Sequence, residues 1–381
     1  MLIVENCSFA RNAGAATGPL NIATSRDYTS KVTNCTFYRN GRNLVAGEIM
    51  YTKGGGGICI EGGKIFVDNC AFQENYAVDA GGLMVDSLVA EVVVRGCHFY
   101  ANQAIQGGGA ISSTSSFTGV ASSIFVGNRA ANHSGVYANH TEGKAPLYPL
   151  DSCILIDNQS PAGSIGESAL DNVPLITNSI LDVDSKFNLF RVINAQPGVL
   201  YATPLHPSNL LSLNHSTIGF VRLPNDGGDG WGDDLFTPDI DEGANDDFGD
   251  LRLTPGSPAI DAGDNSDIPR DEFDFDSDGD TTEPVTGEFD IDGNPRFVDA
   301  PGMPNVYPGT SVGGPIDLGP YEYQSVSCWA DVNADGMLSP ADFSAWISAF
   351  NTNKPRANQN RDDSITPADF SAWIAGFNAG C

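Results

Sequence analysis

The segment VDNCAFQEN, residues 67–75, is one copy of a pattern that recurs along the first half of the chain. In each copy a Cys or Ser stands two residues before an apolar side chain, and an Asn follows a few residues later. Successive copies start 28, 35, 27, 26 and 30 residues apart, with a slight shift of register expected at the fifth copy. They begin at Cys7, Cys35, Cys70, Cys97, Ser123 and Cys153. A repeat of this length predicts units that stack on one another.

Each position of the repeat has a physical role in a stacked β-structure. Residues i and i+2 of a strand share a face, so the Cys and the Phe of one copy should both point inward. The Asn suits a corner, through a left-handed backbone or a side-chain bond to the backbone. Runs of Gly at 54–57, 81–82 and 107–109 precede short apolar segments and allow neighbouring coils to approach closely.

We therefore expect residues 1–220 to form short parallel strands in stacked coils. One inward column should contain Cys35, Cys70 and Cys97. A second should contain Phe37, Phe72 and Phe99. The spacing of one Cys per coil, without a CxxC pair or a nearby set of His, favours small buried residues over the alternatives of a metal site or disulfides.

This repeat resembles the right-handed parallel β-helix of the pectate-lyase-like superfamily, over roughly residues 1–220. The resemblance implies a mainly β fold, a right-handed parallel β-helix solenoid. Because Met1 stands inside a repeat, we expect the chain to be a fragment, or to start at an internal Met, and to lack an export signal and its first coils. The open first coil around Ile3, Cys7 and Phe9 should then promote association, which the monomer fractions of chains with and without the native start would measure.

Enzymes of that superfamily use clustered acids with a Lys or Arg base. The coils here carry only scattered charged residues, which we interpret as a solvated outer face: Lys64, Asp79, Asp86, Glu91, Arg95 and His98. No catalytic residue is therefore assigned, and enzymatic activity stays undecided with scaffolding favoured. An acid cluster with a basic residue within hydrogen-bond reach on one sheet face would favour an enzyme instead.

The segment 225–300 is strongly acidic, with 24 acids and 3 bases, and breaks the repeat. The strings LRLTPGSPAIDAGD (251–264), DIDGNPR (290–296) and DLGPYEY (317–323) resemble the closing segment of secreted bacterial β-helix proteins that end in varied anchors. We expect a β-helix over 1–323, in which 225–323 supplies acidic last coils and a cap. Alternating carboxylates predict a further calcium site, against a merely solvated loop, at Asp274, Asp276 and Asp278.

Two near-copies of one segment end the chain, SPADFSAWISAFN (339–351) and TPADFSAWIAGFN (366–378), with ten of thirteen positions identical. Apolar residues at i, i+3, i+4 and i+7 in each copy predict a short helix with one apolar stripe. The preceding twelve residues place oxygen ligands as an EF-hand-like Ca²⁺ loop requires. The first predicted site comprises Asp331, Asn333, Asp335, Met337, Ser339 and Asp342. The second comprises Asn358, Asn360, Asp362, Ser364, Thr366 and Asp369.

The second loop departs from the pattern, since Asn358 replaces the usual first Asp and Asp363 replaces the turn Gly. We therefore expect weaker Ca²⁺ binding there. The duplicated loop and helix resemble a dockerin, of the subtype that ends many secreted planctomycete proteins in a Gly-Cys such as that at Cys381. The resemblance implies that 324–381 is a small all-α calcium-binding module with a cohesin-like or cell-surface anchoring partner. Cys328 and Cys381 bracket it and would tie its ends in an oxidising compartment.

The composition restricts the partners. The formal net charge is −29, and the sequence offers no basic patch for a nucleic acid. No run of eighteen apolar residues is present, so no transmembrane segment is predicted. The expected protein is a secreted, calcium-binding β-helix scaffold in cell-surface or polysaccharide contact, anchored non-covalently by its last module. The alternative is a polysaccharide lyase or glycoside hydrolase.

Overall fold

The computed structural model contains two compact units, Met1–Tyr323 and Gln324–Cys381. The residues that it describes are 1–12, 17–45, 48–52, 54–115, 117–131, 135–139, 150–159, 176–182, 210–212, 217–228, 230–232, 245–271, 274–275, 279–300, 303–306, 314–324, 330, 332, 339–352, 354–360 and 364–379.

The first unit is built from short strands. In chain order they are β1 (Ile3–Glu5), β2 (Ser8–Ala10), β3 (Leu20–Ala23), β4 (Thr29–Thr33), β5 (Thr36–Tyr38), β6 (Arg42–Val45), β7 (Glu48–Tyr51), β8 (Ile58–Gly62), β9 (Lys64–Asp68), β10 (Ala71–Gln73), β11 (Tyr76–Ala77), β12 (Leu83–Val85), β13 (Glu91–Arg95), β14 (His98–Tyr100), β15 (Gln103–Ala104), β16 (Ile111–Ser113), β17 (Phe117–Ala121), β18 (Ile124–Val126), β19 (Arg129–Ala130), β20 (Tyr137–Asn139), β21 (Leu150–Asp151), β22 (Ile154–Ile156), β23 (Ile176–Thr177), β24 (Ile180–Asp182), β25 (Leu210–Ser212), β26 (Phe220–Arg222) and β27 (Asp250–Leu253).

These strands stack into parallel sheets that run along the molecule. A seven-stranded sheet has the order β1-β4-β9-β13-β17-β21-β23, and an eight-stranded sheet has the order β2-β5-β10-β14-β18-β22-β24-β25. A five-stranded sheet, β20-β16-β12-β8-β3, and a three-stranded sheet, β11-β15-β19, complete the wall. Successive coils add strands to these sheets in chain order, whereas β6 and β7 pair antiparallel with each other, so the chain forms a parallel β-helix with one added hairpin.

The predicted inward columns are confirmed. Phe37, Phe72 and Phe99 stand in register on β5, β10 and β14 and are fully buried. Their rings stack with centroids 4.9 and 4.7 Å apart, and the column continues to Phe9 and Phe125. The stack spacing equals the strand spacing of a sheet, because each coil contributes one ring at the same position.

The Cys column is buried as expected, and it also forms hydrogen bonds. The thiols of Cys35, Cys70 and Cys97 each accept the backbone N–H of the Cys one coil earlier, at 3.4 Å. In the next coil Ser123 takes the same place and accepts the N–H of Cys97 at 3.1 Å. The expected shift of register at Ser123 is wrong, because Phe125 pairs directly with Phe99. This position of the repeat therefore requires a small side chain that accepts a backbone N–H, and both Cys and Ser meet this requirement.

This interpretation predicts different outcomes for two substitutions of Cys97. Cys97→Ser should change stability by less than about 1 kcal/mol, because a hydroxyl still accepts the Cys70 N–H, as Ser123 does one coil later. Cys97→Val should cost about 1–3 kcal/mol, because it leaves that buried N–H without an acceptor. Urea unfolding followed by circular dichroism measures both. Equal losses for the two variants would contradict a hydrogen-bonding role.

The Asn residues of the repeat form a ladder inside one corner. Asn75 accepts the backbone N–H and the side-chain Nδ2 of Asn40 on its Oδ1, at 3.0 Å each, and donates from Nδ2 to the carbonyl of Phe37 at 2.8 Å. Asn102 repeats these bonds with the Asn75 coil. The left-handed backbone belongs instead to the preceding residue, such as Glu74 with φ of 52°. The sequence allowed two roles for the corner Asn, a left-handed backbone or a side-chain hydrogen bond to the backbone. Asn75 and Asn102 form the side-chain hydrogen bond.

The glycine runs are required by close approach. A Cβ on Gly81 would lie 2.1 Å from the carbonyl oxygen of Gly109, one coil away. A Cβ on Gly56 would lie 2.2 Å from the carbonyl oxygen of Gly81. Any larger residue at Gly56 or Gly81 would therefore push adjacent coils apart.

The described part of 217–323, called the flank segment below, packs along the side of the coils. Outward-pointing Ile124, Ile154 and Ile180 share one register position on β18, β22 and β24. They form one buried cluster with flank residues that include Leu251 and Ile260. Within the flank segment, β26 and β27 pair antiparallel. We expected 225–323 to add last coils and a cap, but its described residues cover a lateral face, because apolar side chains point outward there.

The second unit contains two helices, α1 (Pro340–Asn351) and α2 (Ala368–Ala379). Their bounds agree with the duplicated apolar stripes of the sequence. Ser339 caps α1, and its backbone N–H donates to the carboxylate of Asp342 at 2.8 Å, which completes a capping box. Among the described residues, no helix is long and apolar enough to cross a membrane.

Candidate functional site

The described residues of the first predicted Ca²⁺ loop lie at the start of α1. Asp342 is fully buried, and the hydroxyl of Ser339 accepts the N–H of Ala341 at 3.2 Å. The predicted ligands Asp331, Asn333, Asp335 and Met337 lie outside the described residues. The loop's last acid is therefore a buried carboxylate at a helix N-terminus.

The second predicted loop repeats this arrangement at the start of α2. Asp369 is fully buried, and its two carboxylate oxygens accept the N–H groups of Asn360, at 3.1 Å, and of Thr366, at 2.7 Å. Asn358 and Ser364 belong to the described residues, whereas Asp362 does not. Thr366 and Asp369, the ninth and twelfth positions of this loop, are thus joined by a hydrogen bond across the start of α2. Asp369 also forms a hydrogen bond with Asn360, the third position.

The two halves of the unit are joined by a crossed pair of hydrogen bonds. The indole of Trp346 on α1 donates to the carbonyl of Ala357, which directly precedes the second loop, at 3.2 Å. The indole of Trp373 on α2 donates to the carbonyl of Ala330, which directly precedes the first loop, at 3.0 Å. Both alanines are buried. Each helix therefore bonds to the residue that directly precedes the other half's loop.

The aromatic stripes of the two helices pack on each other. The ring centroids of Phe343 and Trp373 are 5.3 Å apart, and those of Phe370 and Trp346 are 5.2 Å apart. These two distances relate equivalent positions of the duplicated segment, so the unit has an internal near-two-fold arrangement. Ile347 and Ile374, also equivalent, are 41% and 39% exposed and leave matching apolar spots on the surface.

The acidic loop at Asp274 is described only in part. Asp274 has a left-handed backbone with φ of 48°, and its carboxylate accepts the N–H of Gly279 at 3.2 Å. Asp276 and Asp278 lie outside the described residues, as do Cys328 and Cys381. Within the described ranges, no three His, Cys, Asp or Glu side chains come together in a way that could hold a metal ion. The predicted third calcium site therefore stays a prediction.

Several charged residues expected on a solvated face are instead partly covered. Glu91 is 9% exposed and forms an ion pair with Arg26. Arg95 donates to the carboxylate of Asp68 at 2.9 Å and lies over the ring of Phe66, with its guanidinium carbon 4.7 Å from the ring centroid. Burial lowers the pKa of His98 to about 4. The partners of Glu91 and Arg95 lie on other coils, so the repeat alone does not indicate this covering.

A cleft of about 570 Å³ opens where this flank segment meets the coil corners. Asp68, Arg95 and Ser122 line it from the coils, and the turn residues 283 and 286–293 line it from the flank segment. Sequence reasoning missed this site. Its residues lie far apart in the chain, and only Arg95 had been considered for chemistry.

The closing strings of the flank segment supply a buried carboxylate network. Asp317 accepts the N–H of Asp261 at 2.7 Å, and Glu322 accepts the N–H groups of Val298 and Asp317 at 3.1 Å each. Burial raises the pKa of Asp261 to about 6 and that of Asp317 to about 7, and it raises the pKa of Glu322 well above its usual value.

One buried cation lies inside this network. The guanidinium of Arg296 is fully buried and donates to the carbonyls of Asp317 and Gly319, at 3.2 and 2.6 Å. The nearest carboxylate contact of Arg296 is with Glu322, at 3.8 Å. Since the acids accept mainly backbone N–H groups, the network fastens loops of the flank segment to each other, and we assign it no chemistry.

Comparison with protein families agrees with this architecture. Residues 1–149 match the family described as "Right handed beta helix region". Neither the curated proteins nor the solved structures gave a match. Together with the parallel sheets, this match supports a right-handed β-helix repeat in the first unit.

Proposed function

We propose that this protein is an extracellular β-helix scaffold in contact with polysaccharide, attached non-covalently through a calcium-binding unit at Gln324–Cys381. The Phe, Cys and Asn columns support the scaffold role, because they give a long rigid body with few buried charges in its core. The resemblance of the closing strings to those of secreted β-helix proteins supports the location.

The observation that carries the attachment proposal is the crossed arrangement of the terminal unit. Trp346 and Trp373 each bond the carbonyl just before the other half's loop, so the two loops and two helices form one interdependent body. A small unit with a modest core commonly depends on bound metal for its stability.

The residues fit a hard divalent cation. Asp342 and Asp369 are buried carboxylates at the twelfth position of each loop, where a Ca²⁺ loop places its bidentate acid. In the first loop Asp331, Asn333 and Asp335 would supply side-chain oxygens, Met337 its carbonyl, and Ser339 a direct or water-mediated ligand. The ion would supply charge neutralisation for acids that are otherwise held close together.

The test is thermal unfolding of the full chain, with and without a calcium chelator, followed by tryptophan fluorescence. Three of the four tryptophans, Trp329, Trp346 and Trp373, lie in the terminal unit. Chelation should lower the melting temperature of that transition, because an ion bound only to the folded state stabilises it by about 2.7 kcal/mol at a hundredfold excess over its dissociation constant.

Single substitutions test which of the two loops contributes more to the Ca²⁺-dependent stability. Asp331→Ala should cost more of this stabilisation than Asn358→Ala, because the second loop already lacks one charge and its turn Gly. Asn351→Ala, at an exposed position at the end of α1, serves as the control. An unchanged melting profile on chelation, or a larger loss from Asn358→Ala, would reject the first loop as the stronger Ca²⁺ site.

One observation favours the second candidate, a polysaccharide-cleaving enzyme. Asp68 and Arg95 form an ion pair at 2.9 Å at the carboxyl ends of the neighbouring strands β9 and β13, and both line the cleft. Incubation of the full chain with polygalacturonate and neutral β-glucans, followed by measurement of reducing ends, tests this candidate. An absence of new reducing ends with every polymer would leave the scaffold function.

A further inference from the structure

The cleft has two walls of different origin. The coil wall consists of the corner residues that follow β9, β13 and β17, where the chain turns from the seven-stranded into the eight-stranded sheet. The other wall consists of the turns of the flank segment around Gly287 and Phe289. Ion pairing with Asp68 and stacking on Phe66 fix the position of Arg95 on the coil wall.

Two buried hydroxyl groups belong to the lining of the cleft. Ser122 and Thr286 are each 2% exposed, and both line the cleft, one from each wall. Neither hydroxyl oxygen has a hydrogen-bond partner among the residues that the structure describes. A buried hydroxyl without a partner is unfavourable by about 1–3 kcal/mol. A ligand that offers hydroxyl groups of its own would relieve this cost at both walls.

The two walls of the cleft approach each other closely at Gly287 and Arg95. Gly287 has φ of 75°, and a Cβ built on it would lie 3.1 Å from the Nη1 atom of Arg95. A side chain at this position would crowd the guanidinium and narrow the cleft. The glycine therefore leaves the Arg95 donors facing open space beside the turn.

The charge of the lining restricts the ligand. Among the described residues, the lining contains five acids, Asp68, Glu283, Glu288, Asp290 and Asp292, and one cation, Arg95, although backbone and Asn294 side-chain N–H groups already occupy the Asp290 carboxylate. Repulsion from these carboxylates disfavours polyuronates, sulfated glycans and nucleic acids. Carboxylates accept hydrogen bonds from neutral hydroxyl groups, and the ring of Phe289, which is 58% exposed, offers an apolar face at the rim.

We propose that this cleft binds a neutral oligosaccharide, whose hydroxyl groups contact Arg95, Ser122, Thr286 and the surrounding carboxylates while one sugar face rests on Phe289. The proposal deepens the polysaccharide contact of the proposed function and is independent of calcium and attachment. Saccharide binding can therefore fail while the terminal unit still binds Ca²⁺, and the reverse can also occur.

The test is isothermal titration calorimetry of the full chain with hexasaccharides of β-1,4-glucan, β-1,4-xylan and β-1,4-mannan. Hexagalacturonate and calcium chloride are the comparison ligands. At least one neutral hexasaccharide should bind, and hexagalacturonate should bind more weakly than it does. Phe289→Ala should raise the dissociation constant about fivefold to tenfold, the effect of one lost aromatic contact.

Matched controls keep the result interpretable. Ser122→Ala should weaken binding, whereas Ser112→Ala, which removes another buried hydroxyl without a partner among the described residues but away from the cleft, should not. Tyr28→Ala removes an aromatic ring that is 63% exposed elsewhere and should leave binding unchanged. Preference for hexagalacturonate over every neutral hexasaccharide, or no binding by any saccharide, would overturn the proposal.

Discussion

Replacing Phe72 with alanine is expected to lower the free energy of unfolding of the β-helix by about 3–5 kcal/mol. Phe72 is fully buried in the middle of the ring column, with the centroid of Phe37 at 4.9 Å on one side and that of Phe99 at 4.7 Å on the other. The substitution removes both stacking contacts and leaves a cavity that two rigid neighbouring coils cannot close. Urea unfolding of the full chain, followed by far-ultraviolet circular dichroism, measures the loss.

A matched control is provided by Phe9, the first ring of the same column. Phe9 is only partly buried and stacks on one described neighbour, Phe37, at 4.9 Å. Phe9→Ala should therefore cost clearly less than Phe72→Ala, although the same atoms are removed. Equal costs at the two positions would show that stacking between coils contributes little to stability.

The second large effect is a rise in stability of the first unit when the pH falls from 8 to 6. Burial raises the pKa of Asp317 to about 7 and those of Asp151 and Asp261 to about 6, and it raises the pKa of Glu322 well above its usual value. Because the unfolded values lie near 4, this stabilisation is complete below about pH 4 and is lost as the pH rises through 6 and 7. Each titrating group changes the free energy of unfolding by up to ~1.4 kcal/mol per pH unit.

The titration of His98 changes the stability in the opposite direction. Burial lowers the pKa of His98 to about 4, so His98 stays neutral in the folded protein while the unfolded chain takes up a proton below about pH 6.5. This stabilisation is present above that pH and is lost as the pH falls towards 4. The carboxylates therefore dominate between pH 8 and 6, and His98 limits the gain at lower pH.

Unfolding of the full chain at pH 8, 7 and 6, in saturating calcium to hold the terminal unit constant, measures this dependence. Glu322→Gln resembles the protonated side chain and should reduce the slope, whereas Glu5→Gln, at an exposed residue of β1, should not. A stability that falls on acidification from pH 8 to 6, or an unchanged slope in Glu322→Gln, would contradict this account of the buried network.

The repeat predicted most of the coil architecture because the pattern lies within a short stretch of sequence and recurs in every stacked coil. Cys, Phe and Asn at fixed offsets in one coil face the same residues in the next, so one period determines which side chains share a column. The Cys thiols were expected to act only as small apolar residues. The thiols also accept backbone N–H groups of the preceding coil, and these hydrogen bonds depend on backbone geometry that the residue type does not specify.

The helical unit was also predicted in its local elements, since the apolar spacing gave α1 and α2. The duplication did not reveal that Trp346 and Trp373 exchange partners between the halves. Either helix could have packed on its own loop with the same stripe. The crossed arrangement buries Ala330 and Ala357, the residues just before the two loops, which a sequence pattern within one copy does not describe.

The lateral packing of the flank segment had a signal in the sequence that we did not use. The outward position of the eight-stranded sheet is Ser8, Thr36, Ala71 and His98 in the first four coils, and it becomes Ile124, Ile154 and Ile180 in the next three. An apolar outer face requires a cover, and the flank segment supplies it.

By itself, the sequence determined the β-rich coils, the inward columns, the two terminal helices and the acidic character of the flank segment, because each follows from periodicity or composition within short stretches. Only the tertiary structure decided that Arg95, Ser122 and Thr286 line one cleft, and that Asp261, Asp317 and Glu322 form one buried network. Both sites join residues distant in the chain. Their contacts arise from burial of apolar surface between the coils and the flank segment, which depends on three-dimensional shape and not on spacing along the chain.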